Sequence, residues 1–361
     1  MIVTLLVFFL VLSILVVIHE FGHFFVAKKS GMLVQEFGLG LPPRVWGIKI
    51  GDTLYSINLL PFGGFVKIYG EDPTEVSNKS KDKSLKGRAF YQKPWWQRAL
   101  VIVAGPFMNF MLAVVVISYL FTKGVYVPAH KVTVVSVEKN SPAAEANLRK
   151  NDIVVSIEKP GEKAFPVTTV QELISTAKKN AGMLITLHYK RDGKNMSVSL
   201  TPRKDPPAGQ GMLGLVITDV MKKSYSWVEA PFAGLKESLS ISAQFYQQLV
   251  GMVGKLVTLQ KQQVDVSGPV GIAQLTGQAV KDGFDSVLQL LGLLSLNLAL
   301  INIIPFPALD GGQFAFVMYE LVTRRKINDQ IKAKINAVGF MFLLFLIAAI
   351  SLNDIRKLFM Q

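Results

Sequence analysis

The sequence predicts a polytopic α-helical membrane protein with four transmembrane helices, a membrane-associated β element and an inserted extracytoplasmic α/β domain. Three observations predict it. Half of the 361 residues are hydrophobic and only 18% are charged, against about 25% charged in soluble domains. The apolar residues fall in a few long runs, each about long enough to cross a 30 Å hydrocarbon core. The Lys and Arg residues gather in the short connections between those runs.

The first run, 1–27, is uncharged up to His19 and has neither the basic start nor the small-residue cleavage site of a secretory signal, so it reads as a retained span. The second, 99–121, is interrupted only by Gly105, Pro106 and Asn109. The third covers 288–309 and the fourth 335–352. The connection 28–98 holds twelve Lys or Arg against six acids, and the connection 310–334 holds five. By the positive-inside rule both connections are expected in the cytoplasm and both termini outside.

Within 28–98, residues 36–69 are rich in Gly, Pro and β-forming residues with few charges. They read as strands lying close to the bilayer, followed by a polar, Lys-rich, mobile loop over 71–98. The stretch 122–287 is expected outside. Lys131–Val137 and Asp152–Ile157 alternate as strands do, 142–148 and 170–179 read as helices, and 184–200 reads as a hairpin around Asp192-Gly193. That domain is assigned to 124–204, closed by Asp205-Pro206-Pro207. Residues 205–287 become a linker with amphipathic surface helices, because 232–259 is apolar yet carries Lys, Glu and Gln side chains.

The net charge of +14 suits loops against anionic lipid. No basic helix, finger or aromatic RNA-binding motif accompanies it, so nucleic acid is not an expected partner. Cysteine is absent. Disulfides and thiolate metal sites are therefore excluded, and a metal would have to use His, Asp or Glu.

The sharpest chemical signal is His19-Glu20-Phe21-Gly22-His23. Residues i and i+4 share one helix face, so both imidazoles can bind one zinc ion, with Glu20 as general base on a water that the metal polarises. Within a membrane span such groups are costly and point to function. Zinc needs a third protein ligand and an open position. Lys29 stands where a soluble metzincin would place its third histidine. Asp310, in Leu309-Asp310-Gly311-Gly312, is the candidate, because the first and third spans run in the same direction and bring both motifs to a similar depth near the cytoplasmic face. Asn297 and Asn302 could bind a substrate backbone or an oxyanion, or act as polar glue between helices. Pro305 and Pro307 break the third helix, which is tolerated where freed backbone lines a cavity. Gly105-Pro106-Phe107-Met108-Asn109 reads first as a site of close helix packing.

Taken together, these residues resemble the site-2 protease family of intramembrane zinc metalloproteases (peptidase family M50), and within it the RseP-type regulator-of-sigma-E branch. The resemblance rests on His-Glu-x-x-His, the 61–66 Pro-Phe-Gly-Gly-Phe-Val loop, Gly105-Pro106-x-x-Asn109, Ser267-Gly268-Pro269 and the Asn302 to Gly311 stretch. It implies zinc held by His19, His23 and Asp310, Glu20 as base, Asn302 near the substrate, and a membrane-embedded β element at 36–69. It also implies that the outside domain is a PDZ domain, carried by Ser141-Pro142-Ala143-Ala144-Glu145-Ala146 and Asn151-Asp152-Ile153. Asn147 and Asn151 stand where relatives often have Gly, and Asn is the next best residue for left-handed backbone. The implied setting is a bacterial inner membrane, and the implied partners are single-span substrates such as anti-sigma factors or remnant signal peptides. The competing readings are an inert PDZ scaffold in the membrane and an ion transporter. The intact His-Glu-His and Asp set disfavours the first. The lack of repeated halves disfavours the second.

Overall fold

The structure, a computed structural model, describes residues 2–71, 87–159, 161–207, 209–257 and 268–360. Most of the expected Lys-rich loop, and Ser267, lie outside the described residues. The chain divides into two compact units: Lys123–Tyr225, and the remainder on either side of it.

In the larger unit, helices α1 (Ile2–Lys29), α2 (Trp95–Lys123), α7 (Phe284–Asn302) and α9 (Asp329–Met360) are long and apolar enough to cross a membrane. Val11 and Leu15 of α1, Val116 of α2 and Leu291 of α7 pack into a common core. The outward faces stay apolar: Phe340, Met341 and Phe345 of α9 are exposed, as side chains facing hydrocarbon would be.

Strands β1 (Val34–Ile50) and β2 (Thr53–Ile68) are each bent, so their pairing gives four antiparallel ribbons. Leu39 pairs with both Ile57 and Gly64. The ribbon order is therefore 44–50, 53–58, 34–41 and 64–68, with the last at an edge. Met32, Val34 and Ile68 bury against Ala27 of α1, Ala99, Val101 and Ile102 of α2, and Val317 of helix α8 (Asp310–Thr323). The ion pair from Arg98 Nη1 to Glu320 Oε2 (2.8 Å) also ties α2 to α8.

Helix α2 starts before 99 and α7 before 288, and the later boundaries depart further from expectation. The third apolar run does not stay helical to 309. It ends at Asn302, because Pro305 and Pro307 cannot donate to the helix ladder. A tight turn follows, with Ala308 at φ 71°, and the supposed loop after 310 is helix α8. The fourth helix extends beyond 335–352 at both ends.

Helix α5 (Ala230–Val257) does not lie flat across helix ends. Gly234 abuts Ser118 of α2, while Ile241, Phe245 and Tyr246 pack on Ala113, Leu296 and Leu300. These contacts carry α5 along the flank of α2 and α7 for about 18 Å, at 1.5 Å per residue. Lys236, Glu237, Gln244, Gln247 and Gln248 face away from the packed side, and Ser238 and Ser242 donate to carbonyls one turn back, at 2.8 and 2.6 Å. The Tyr246 hydroxyl donates to the Leu300 carbonyl at 3.1 Å.

Helix α6 (Pro269–Asp282) is held at its start by α9. Asp354 is buried and accepts the N–H groups of Gly268 (2.8 Å) and Gly271 (3.0 Å), two of the orphan donors of a helix start.

The smaller unit is an antiparallel sheet built from β3 (Val125–Val137), β4 (Ile153–Glu158), β5 (Phe165–Pro166), β6 (Ile185–Arg191), β7 (Lys194–Leu200) and β8 (Leu215–Lys223). The spatial order is β7-β6-β4-β3-β8, with β5 beside β4. Strand β8 is a correction, because the sheet does not end at the 205–207 Pro pair. Leu215 and Ile217 alternate with Val216 and Thr218, and the first two pack on the core. Two helices complete the unit, α3 (Pro142–Glu145) and α4 (Val170–Lys179). Helix α4 starts on a full capping box, in which Thr169 and Glu172 each accept the other's backbone N–H. Asn147 and Asn151 take φ of 59° and 73°.

Asp152 is buried beneath Arg191, which donates from Nε and Nη2 at 2.7 Å each, and the Arg149 N–H adds a third bond at 2.7 Å. Burial pushes the Asp152 carboxyl up, but the Arg191 hydrogen bond and the flanking positive charges outweigh it, and the net shift is downward. A depressed folded value means stability that is present above the ordinary carboxylate range and lost as pH falls through the folded value.

Two outcomes are expected. Asp152→Asn should destabilise the smaller unit by about 3 kcal/mol and flatten its loss of stability in acid. Both effects can be read in the full chain from amide exchange in β4 and β6 at pH 7 and below pH 4. Asp354→Ala should cost about 2 kcal/mol and speed exchange of the Gly271 and Ile272 amides, with little change in β4.

Candidate metal centre

Three elements build the centre. Helix α1 carries His19 and His23 one turn apart, with their Nε2 atoms 3.2 Å from each other. The turn after α7 and the start of α8 deliver Asp310, whose Oδ2 lies 3.1 Å from His19 Nε2 and 3.6 Å from His23 Nε2. This turn is compact: a side chain at Gly311 would collide with the Ile303 and Ile304 carbonyls. Helix α2 forms the wall behind the histidines. A side chain at Gly105 would occupy the space of His23 Nε2, so the imidazoles lie directly against the α2 backbone.

The His23 Nδ1–H donates to the Val101 carbonyl at 2.8 Å, which leaves Nε2 with its lone pair toward Asp310. Asp310 Oδ2 is buried and, the imidazole nitrogens apart, has no hydrogen-bond partner. An acceptor of this kind among imidazole nitrogens is what a cation would satisfy. One ligand atom from each of His19, His23 and Asp310 falls within a 4.8 Å span. Two imidazoles and a carboxylate with an open side suit zinc, so the residues present fit that metal.

Glu20 lies beside this set without joining it. Its Oε2 accepts the Val66 N–H at 2.9 Å, so the edge ribbon of the sheet holds its carboxylate. A cavity of about 160 Å³ opens here, lined by the three candidate ligands, Glu20, Val66, Glu71 and Gln313 among others. Asn302, the last residue of α7, brings its amide nitrogen to 3.5 Å from His19 Nε2. Asn297 is half-buried further up α7, and neither asparagine is among the residues lining the cavity. The sequence reading missed Asn109, whose amide lies 3.3 Å from His19 Nδ1. Its signals were an amide in an otherwise apolar run and its place in the Gly105-Pro106-x-x-Asn109 motif, which reads first as close packing.

Comparisons with known proteins agree in extent. The Peptidase family M50 profile matches residues 7–346. A relative from Clostridium perfringens that bears a zinc-metalloprotease name is 33% identical over 349 residues, 96% of each chain. The regulator of sigma-W protease RasP of Bacillus subtilis is 28% identical and covers 99% of both chains. Zinc metalloprotease RasP of Shouchella clausii is 29% identical over the same share. A crystal structure of the PDZ domain of an SdrC-like protein from Listeria monocytogenes is 27% identical. It matches 26% of this chain and 95% of its own, with a TM-score of 0.22. A profile match from near the first residue to near the last, with relatives of matching length, means that the chain belongs to peptidase family M50, as a zinc metalloprotease with membrane-spanning helices.

Proposed function

We propose that the chain is an intramembrane endopeptidase whose zinc is held by His19, His23 and Asp310, with Glu20 as general base. The observation that carries this reading is the convergence of those four side chains on one cavity. Zinc, when bound, supplies Lewis acidity toward the attacking water and the scissile carbonyl. Glu20, fixed by the Val66 N–H, takes the proton of the attacking water and passes it to the leaving amine. Asn302, with its amide nitrogen 3.5 Å from His19 Nε2, donates to the carbonyl oxygen as negative charge develops there.

A helical substrate hides its carbonyls in its own hydrogen bonds. Cleavage needs a locally extended segment, and the 64–68 edge beside Glu20 offers backbone groups to hold one by strand addition. The substrates proposed are single-span membrane proteins already trimmed outside, of the anti-sigma-factor or remnant-signal-peptide kind. The name of the Bacillus subtilis relative supports the first kind. In this reading the centre lies toward the cytoplasmic face of a bacterial inner membrane, which the Lys- and Arg-rich connections support. The smaller unit is read as an extracytoplasmic PDZ domain that admits or excludes substrates.

The test compares wild type, Glu20→Gln and His23→Ala, purified in detergent, on a tagged single-span substrate. Wild type should cleave and contain near-stoichiometric zinc. Glu20→Gln should keep its zinc and lose about 10³-fold in rate, and His23→Ala should lose both. Equal cleavage by wild type and Glu20→Gln would remove Glu20 from the chemistry.

A further inference from the structure

The four-residue spacing of the histidines on α1 is matched by a four-residue spacing on α2. Val101, Gly105 and Asn109 fall at i, i+4 and i+8, along one ridge of that helix. Val101 supplies a carbonyl to His23. Gly105 supplies the gap in which the rings lie. Asn109 is fully buried, and its amide meets the far nitrogen of His19 at 3.3 Å. Its backbone carbonyl accepts the Ser295 hydroxyl of α7 at 2.8 Å, which fixes the α2 backbone at this point.

The chemistry of the ring decides how that amide must point. An imidazole that offers Nε2 to a metal carries its proton on Nδ1, and that proton needs an acceptor. His23 has one in the Val101 carbonyl. For His19 the group at Nδ1 is the Asn109 side chain. With Nδ2 toward the ring, His19 would accept at Nδ1 and hold its proton on Nε2, blocking the lone pair toward Asp310. Asn109 Oδ1 would then remain buried without a partner. The two ends of an amide exchange by a half-turn. Turned, Oδ1 accepts the Nδ1–H of His19 and frees Nε2 for the centre.

We propose that Asn109 is the positioning residue that fixes the tautomer and ring plane of His19 for zinc, acting from α2 through a hydrogen bond accepted by Oδ1. This rests on the reading of His19, His23 and Asp310 as the ligands. A neutral acceptor does this without adding a further carboxylate to a centre that already holds Asp310 and Glu20. The pairing also makes α2 responsible for both histidines, one through a backbone oxygen and one through a side-chain oxygen.

The experiment measures zinc affinity in the full chain in detergent, by competition with a fluorescent chelator, together with the thermal midpoint of the metal-free forms. Asn109→Leu keeps the branched shape and removes the acceptor, while Asn109→Asp keeps an acceptor. Asn109→Leu should bind zinc about 10- to 100-fold more weakly with its metal-free midpoint unchanged, and Asn109→Asp should recover most of the loss. His23→Ala is run beside them. If it keeps wild-type affinity, the ligand assignment itself fails. If it loses zinc while Asn109→Leu binds as wild type, the role of Asn109 is overturned and the ligand assignment stands. Should Asn109→Leu not fold, nitrogen-15 spectra of histidine-labelled, metal-free wild type decide the matter. A His19 proton on Nδ1 supports the proposal, and a proton on Nε2 overturns it.

Discussion

The rest of the larger unit depends on one buried carboxylate oxygen. Asp310 Oδ2 sits between two imidazoles, away from water and without an N–H or O–H donor beyond the rings. Burying such an oxygen costs several kcal/mol unless something compensates. In the proposed reading the compensation is a divalent cation shared with His19 and His23. Other features of the unit follow from making that arrangement possible. The helix carrying Asp310 must break from α7 and restart within a few residues, hence Pro305, Pro307 and the packed Gly311. Helix α2 must approach closely enough to touch both rings, hence Gly105. The Arg98 to Glu320 pair then ties α2 to the helix that begins with Asp310.

The side-chain chemistry of the centre was legible in the sequence because it is carried by residue types that are rare inside an apolar run. Two histidines at helical spacing, and an aspartate where a third run loses its helix, announce themselves. Asn302 was legible for the same reason. Asn297 shares the residue type and the helix, but it is Asn302 whose amide approaches His19, and type alone could not separate the two. Asn109 was hidden by the opposite problem. Its meaning lies in a partner ninety residues away on another helix, and within its own run it looks like packing. The Val66 N–H left no signal at all, because a backbone donor has no residue identity.

The fold shows the same division. Long apolar helices are fixed by composition, and their number could be read directly. Their ends are fixed by hydrogen-bond accounting, which composition does not report. The third helix stops seven residues before the apolar run does, because two prolines remove donors and Ala308 turns the chain into left-handed backbone. Strand β8 lies beyond a proline pair that reads as an ending, and only its pairing with β3 brings it back into the sheet. Helix α5 was legible as amphipathic from its exposed Lys236, Glu237, Gln244, Gln247 and Gln248, but the packing of its other face on α2 and α7 depends on residues far along the chain.

The edge ribbon joins these two levels of organisation. In an antiparallel edge, alternate residues turn their N–H and carbonyl outward, unpaired. Val66 is one of these, and its N–H is taken by Glu20. A segment added along the 64–68 edge in the proposed reading would therefore lie beside the base by construction, its register counted from the residue that holds Glu20. The sheet would then do two things with one strand: hold an extended backbone, and set where along that backbone the base acts. A helix could not do both, since its own ladder consumes its donors. That is a physical reason for a β element to stand next to a centre otherwise made entirely of helices.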